Sequence, residues 1–344
     1  MKKLVLHLGL QKTGSTSLQE TLLYNPAPLA AAGYAYGDIT WPGEVNSNHS
    51  FPLIVAFSDD WHTEPEVLRR GWQTEDLKRH FTAAIERALD TDKNLILSGE
   101  DISDIPAEGL RAFADLAAAR GFGVQPMMFV RSPLAFVTSM SQTRIRHGMG
   151  FHVFAARKSI RIATCLSVWP DLRTIAFTDA VAHKDGPFGA FLQAAGLPPA
   201  SEFGLIRQND GMSDHATRLI GHVNGRIPLF VDGAVNPLRA YLDTEPLAGI
   251  TGPKFQLTRR EFADYRAPIQ TENATFATLL GPSFCDPNFS FPDAPPPWTT
   301  PELQQVLTAM RPLTGPLQDA IRDYFGTSPD VGAAQRAIAC KILT

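Results

Sequence analysis

The chain has 344 residues, 44% of them hydrophobic, with 31 Lys and Arg against 35 Asp and Glu for a formal net charge of −4. That length can bury a substantial core and suits one large elaborated domain. The charge balance excludes a globally basic nucleic-acid binder, so any anion site must be a local cluster. Cys165, Cys285 and Cys340 are the three cysteines; they are far apart and lack metal-ligand spacing, which argues against a disulfide framework and leads to an expected reducing, cytoplasmic setting.

In chain order, Met1-Lys2-Lys3-Leu4-Val5-Leu6 imitates the opening of a signal peptide. Its apolar run is soon broken by His7, Gln11 and Lys12, so it reads as a first core strand, and no stretch is long enough to span a membrane. A loop and an amphipathic helix follow, then a short strand at Tyr34-Ala35-Tyr36 and a helix over Phe51 to Phe57, capped by a residue of Asn46-Ser47-Asn48-His49. Leu77, Phe81, Ile85 and Leu89 give Gln73 to Leu89 helical spacing.

Asn94 to Ser98 reads as a buried parallel strand with Glu100 and Asp101 just past its end, the edge where catalytic groups of open α/β sheets gather. A helix over Pro106 to Arg120 precedes a third strand, expected to begin after Pro126 and to close at Arg131. Ser132-Pro133 opens another helix. Thr143 to Leu166 reads as mostly helical and unusually basic, Arg173 to Phe177 as a strand, and Phe188 to Ala195 as a helix ended by Gly196.

This alternation predicts an α/β fold of three layers, a mostly parallel sheet between helices, with a core over about 1–200. Beyond Pro198 the pattern weakens. Asp214 to Val223, Pro301 to Phe325 and Val331 to Leu343 read as extra helices, and Pro295-Pro296-Pro297 as a rigid surface turn.

The chemistry concentrates in His7-Leu8-Gly9-Leu10-Gln11-Lys12-Thr13-Gly14-Ser15-Thr16-Ser17. A phosphate cradle needs glycine where backbone approaches the anion, a lysine as point charge, and hydroxyls with amides at a helix start. Gly9, Lys12, Gly14, Ser15, Thr16 and Ser17 supply these. The Walker pattern places its lysine after the second glycine; here Lys12 precedes Gly14.

This order resembles the 5′-phosphosulfate loop of sulfotransferases, especially the bacterial and carbohydrate-directed branch, in which Ser-Leu-Gln commonly follows, as Ser17-Leu18-Gln19 does here. The family also carries an Arg at the end of a later strand and a Ser in the next helix, both for the donor's 3′-phosphate. Arg131 and Ser139 match that pair. Ser132 stands where the family often has Asp, and Phe136 where a further Arg is common. Gln142, Gly148, Trp169, the Phe188 to Leu197 segment, Asn209 and Ser213 fit more loosely.

The resemblance implies a P-loop-like sulfotransferase fold and transfer of a sulfuryl group from 3′-phosphoadenosine-5′-phosphosulfate to a hydroxyl, leaving adenosine 3′,5′-bisphosphate. It implies donor binding by Gly9, Gln11, Lys12, Thr13, Gly14, Ser15, Thr16, Ser17, Arg131 and Ser139, with Lys12 at the bridging oxygen. The sulfuryl group carries less charge than a phosphoryl group, so no metal is expected. The acceptor class is a carbohydrate or other small metabolite.

A base is needed for the incoming hydroxyl. Glu100 is the first candidate, although it could instead cap the following turn; His49 has a suitable unperturbed pKa but could equally be structural. Arg144, Arg146, His147, His152, Arg157, Lys158 and Arg161 form a basic segment, read first as a solvated helix face and otherwise as an acceptor cleft for an anionic glycan. His7 reads as a core-edge residue, and Trp41, Trp61 and Trp72 as packing. Two other function classes stay open: a nucleotide kinase or NTPase with Glu100-Asp101 holding a metal, and a non-catalytic nucleotide-binding module.

Overall fold

The structure, a computed structural model, describes residues 1–343 apart from 40, 42–45, 65–66, 68–70, 72–73, 154–156, 207–210 and 233. Trp72, Gln73 and Asn209 therefore lie outside the described residues. The backbone forms two compact units, one of Met1–Ser132, Arg157–Asn209 and Glu272–Cys285, the other of Pro133–Ala156, Asp210–Thr271 and Asp286–Thr344. The segment that follows Ser132 thus groups with the C-terminal part of the chain, where the sequence suggested one domain with a continuous core to about residue 200.

The first unit is α/β. Its strands are β1 (Lys2–Leu8), β2 (Tyr34–Tyr36), β3 (Asn94–Gly99), β4 (Phe122–Val130) and β5 (Arg173–Ala176). All pair in parallel, in the order β2-β3-β1-β4-β5. Registers such as Leu8↔Gly99 and His7↔Met127 bring the carboxyl ends of β3, β1 and β4 to one edge.

Side chains alternate across the sheet. Leu4, Leu6, Leu8, Leu95, Leu97, Met128 and Val130 enter one buried cluster with α3 (Ser50–Phe57), α4 (Glu75–Leu89), α5 (Ala107–Ala119) and α6 (Ser159–Val168). Val5, Ile96, Met127 and Phe129 enter the opposite cluster with α1 (Ser15–Tyr24), α2 (Pro26–Ala31) and the helix Gly186–Ala195. In α4 the buried stripe is Leu77, Phe81, Ala84, Ile85 and Leu89, and Glu75 and Asp76 sit in the first turn, where carboxylates complement the helix dipole.

Three boundaries differ from the sequence reading. Pro126 lies inside β4 rather than before it, because β5 pairs only from Met127 onward and the strand is an edge on that side at Pro126. The basic stretch is two helices, Pro133–Arg146 and Ser159–Val168; Gly148, at φ +95°, takes a left-handed conformation just after the first helix ends. The stretch Pro301 to Phe325 is likewise split into Thr300–Met310 and Gly315–Thr327, with Pro316 starting the second helix.

In the second unit, Asp214–Arg226 begins with Ser213 Oγ accepting the Ala216 amide at 3.1 Å. Its buried Arg218 donates to Asp214 Oδ1 at 2.6 Å, to the Gln256 carbonyl at 3.0 Å and to Glu261 Oε2 at 3.1 Å. That set of partners satisfies a guanidinium taken out of water. Among the described residues, no helix is long and apolar enough to cross a membrane.

The carboxyl end of β3 depends on a close approach. A Cβ added at Gly99 would lie 2.5 Å from Ser50 Oγ and 2.6 Å from Ser50 N, so the start of α3 can rest on the strand only over a glycine. Gly99→Ala is expected to lower stability by about 1–3 kcal/mol through overpacking, read as a lower urea midpoint with an unchanged m-value.

Candidate functional site

The strand order sets the location. The connection leaving β1 runs toward β2 and that leaving β4 toward β5, so the crevice outside their carboxyl ends is a topological switch point. The loop after β1 opens there. Gly9 N donates to the Gly99 carbonyl at 3.1 Å, and a Cβ at Gly9 would sit 3.3 Å from the His7 ring. Buried Thr13 closes the loop from inside by donating from Oγ1 to the Leu10 carbonyl at 2.6 Å.

Lys12 and Gly14 both take positive φ, +68° and +76°. For lysine this left-handed backbone costs about 1–2 kcal/mol, so surrounding contacts must hold it. One is visible: Arg131 Nη1, from the end of β4, donates to the Lys12 carbonyl at 2.9 Å. The same guanidinium lies 5.3 Å from the Phe177 ring centroid. Gly14 then ends the loop, and the ten-residue helix α1 (Ser15–Tyr24) starts with no side-chain cap on its N-terminus. Ser15 is buried, while Thr16 and Ser17 are half-buried in the first turn. Such a helix start directs amide donors and a positive dipole end toward an anion.

Glu100 follows β3 and accepts a hydrogen bond from Ser15 Oγ on its Oε1. Burial raises the Glu100 pKa above its ordinary value; the Ser15 bond opposes this, Asp101 adds to it, and the charges of Lys12 and Lys158 oppose it. Gln11 Nε2 donates to Asp101 Oδ1 while Lys158 Nζ donates to Gln11 Oε1, and the Asp101 amide donates to Ser50 Oγ at 2.8 Å. Arg161, one turn into α6 from Lys158, pairs with Asp104. Loop, strand end and helix start are therefore tied together through polar groups.

His49 sits elsewhere in this network. Its Nε2 donates to the Gly37 carbonyl at 2.9 Å and its Nδ1 accepts the Ser98 amide at 3.0 Å. Both ring nitrogens are thus engaged by backbone groups of the sheet edge. Buried His7 meets Ser98 Oγ through Nδ1 at 2.8 Å and packs edge-on against Phe129 and Phe191, matching a core-edge residue.

Ser139 belongs to the second unit, half-buried in Pro133–Arg146. Trp41 and Trp61 are core residues, Trp41 against Phe51 at 4.6 Å between ring centroids.

In the basic segment, the first reading of a solvated face fails at Lys158. That lysine is 6% exposed. No local pattern separates it from Arg157, which is exposed; only the fold brings it to Gln11. In the same basic segment, Arg146 is paired with Glu245. No protein-family model, curated protein or solved structure matches this chain.

The buried histidines have a measurable consequence. Burial lowers the pKa values of His7 and His49 from 6.5 to about 4. Between those values the folded chain binds fewer protons than the unfolded one, so each histidine costs stability as pH falls through that window. Glu100 and Asp104, both raised by burial, contribute the opposite slope. In His49→Gln the slope of unfolding free energy against pH between about 4 and 6.5 should drop relative to wild type by up to about 1.4 kcal/mol per pH unit, measured by urea titration at several pH values.

Proposed function

We propose that the chain is a sulfotransferase of P-loop-like fold, moving a sulfuryl group from 3′-phosphoadenosine-5′-phosphosulfate to a hydroxyl of a carbohydrate or other small metabolite. The observation that carries this reading is the bond from Arg131 to the Lys12 carbonyl across the crevice between β1 and β4. Sequence spacing links these residues to the two ends of one donor, and they are neighbours in space. A glycine-bounded loop, a helix start without a side-chain cap and two flanking cations suit a bisphosphorylated nucleotide in charge.

On this reading Gly9, Gln11, Lys12, Thr13, Gly14, Ser15, Thr16 and Ser17 form the 5′-phosphosulfate cradle, and Arg131 serves the 3′-phosphate; Ser139 keeps its assignment on the sequence motif. Glu100 takes the acceptor's proton. A new bond forms between acceptor oxygen and sulfur, the bond from sulfur to the phosphate oxygen breaks, and that oxygen keeps the electron pair. Lys12 neutralises the charge that grows there. Burial makes Glu100 a stronger base than a solvated carboxylate, and the hydrogen bond from Ser15 orients it.

Calorimetry with adenosine 3′,5′-bisphosphate, and with ATP in the presence and absence of magnesium, tests the reading. The bisphosphate should bind without magnesium and more tightly than ATP. Arg131→Ala should weaken it by about 10- to 100-fold, the worth of charge-assisted hydrogen bonds. Magnesium-dependent ATP binding with equal bisphosphate affinity in both proteins would favour a kinase.

Transfer from labelled donor to a panel of glycans, phenols and small alcohols tests the chemistry. Lys12→Ala should reduce turnover by at least about 100-fold. A wild-type chain that binds the bisphosphate yet labels no acceptor would leave a nucleotide-binding module instead.

A further inference from the structure

Large apolar side chains crowd the surface of one short stretch of the second unit. Phe230, Val231, Val235, Leu238, Tyr241 and Leu242 are each 39–62% exposed, although burial of apolar area is what draws such residues inward. Four residues of this stretch, in β6 (Phe230–Val231) and β7 (Ala234–Val235), form an antiparallel ribbon, and among the described residues these strands pair only with each other. All four are exposed, so both faces of the ribbon are left uncovered.

The stretch is nonetheless held in one shape. The Asn236 amide donates to the Leu229 carbonyl at 2.8 Å, its Nδ2 donates to the Pro228 carbonyl at 2.9 Å, and its Oδ1 accepts the Leu238 amide at 3.0 Å. Arg239 is buried. Its Nε and Nη2 each donate to an Asp243 carboxylate oxygen at 2.8 Å, Nη1 donates to the Ile227 carbonyl, and Nη2 donates also to Asn224 Oδ1 at 3.0 Å. Buried Asn224 donates in turn to the Ile145 carbonyl at 2.7 Å. This network fixes the Leu238–Leu242 tip, in which Leu242 keeps a φ of +60°, an unfavourable backbone for a bulky side chain. Apolar groups held outward in this way lose little freedom when they are covered.

Charge and area identify what covers them. Asp232 and Arg239 are the charged residues of 230–242, and the Arg239 guanidinium is committed to Asp243. The stretch therefore offers no cation to an anionic lipid surface or an acidic partner, and a single carboxylate to a basic one. A face with so little charge is complementary to itself. Six half-exposed apolar side chains amount to roughly 500 Å², and two such faces would bury about 1,000 Å², the lower bound of a specific interface.

Independently of the sulfotransferase reading, we propose that a second copy of this chain covers the surface, the β6–β7 ribbon and the Leu238–Leu242 tip of each copy packing on those of the other about a two-fold axis. Its modest area makes the dimer weak, with a dissociation constant on the order of micromolar. The two copies separate on dilution.

Sedimentation velocity of the full-length chain between about 1 and about 100 µM tests this. Wild type should pass from monomer to dimer over that range. Phe230→Ser combined with Tyr241→Ser removes both aromatic anchors and should raise the dissociation constant at least about 30-fold, whereas Tyr24→Ser, at an exposed aromatic outside the stretch, should leave it unchanged. With so little charge in the contact, the dimer should persist between about 0.05 and about 0.5 M salt.

A wild type that stays monomeric at the highest concentration would overturn the proposal, as would a dimer that survives the double variant or dissociates in salt. Should the double variant not fold, Leu238→Glu sets a charge in the same surface and reads the same loss. Flotation with vesicles of phosphatidylcholine, alone or mixed with phosphatidylserine, should leave wild type unbound. Capture on either vesicle that the double variant abolishes would overturn the proposal in favour of a lipid surface.

Discussion

Parallel pairing of β1 between β3 and β4 is the constraint from which the candidate site follows. With Leu8 in register with Gly99 and His7 with Met127, three chain segments must leave the sheet at the same edge. The loop after β1, Glu100 and Arg131 lie at those exits. A one-residue slip of β1 would turn the alternating Leu4, Leu6 and Leu8 out of their buried cluster. Burial of each such side chain is worth about 1.5–3 kcal/mol, so hydrophobic register sets where the polar groups lie.

The polar groups then constrain one another. A left-handed Lys12 is unfavourable by itself, and the Arg131 bond to its carbonyl helps to hold it. Burial disfavours ionised Glu100, while Ser15, Lys12 and Lys158 favour it. Groups held against their intrinsic preference by several weak partners respond when any one partner is occupied by a ligand.

Much of the architecture was legible locally. The apolar runs at Leu4 to Leu8 and Asn94 to Ser98 lie in strands because they are short, continuous and bounded by polar or glycine residues. The stripe through Leu77, Phe81, Ile85 and Leu89 is a helix face. Pro126 was misjudged because its tolerance depends on whether a neighbouring strand reaches that point, which is a property of β5. The basic segment was misjudged for a similar reason: Gly148 follows the end of the first helix, and the helices Pro133–Arg146 and Ser159–Val168 fall in different units.

At the site, sequence alone determined the glycine-bounded loop after β1, the helix start behind it and the acidic pair after β3, since glycine placement, chain punctuation and strand ends are set by neighbours along the chain. Tertiary structure decided that both ring nitrogens of His49 are engaged by backbone groups, Gly37 and Ser98. It also decided that Lys158 belongs beside Gln11 while Arg157 stays exposed. Local sequence encodes which backbone shapes are cheap; the burial and partners of a charge depend on segments far away in the chain, and these are fixed only when the sheet brings them to one edge.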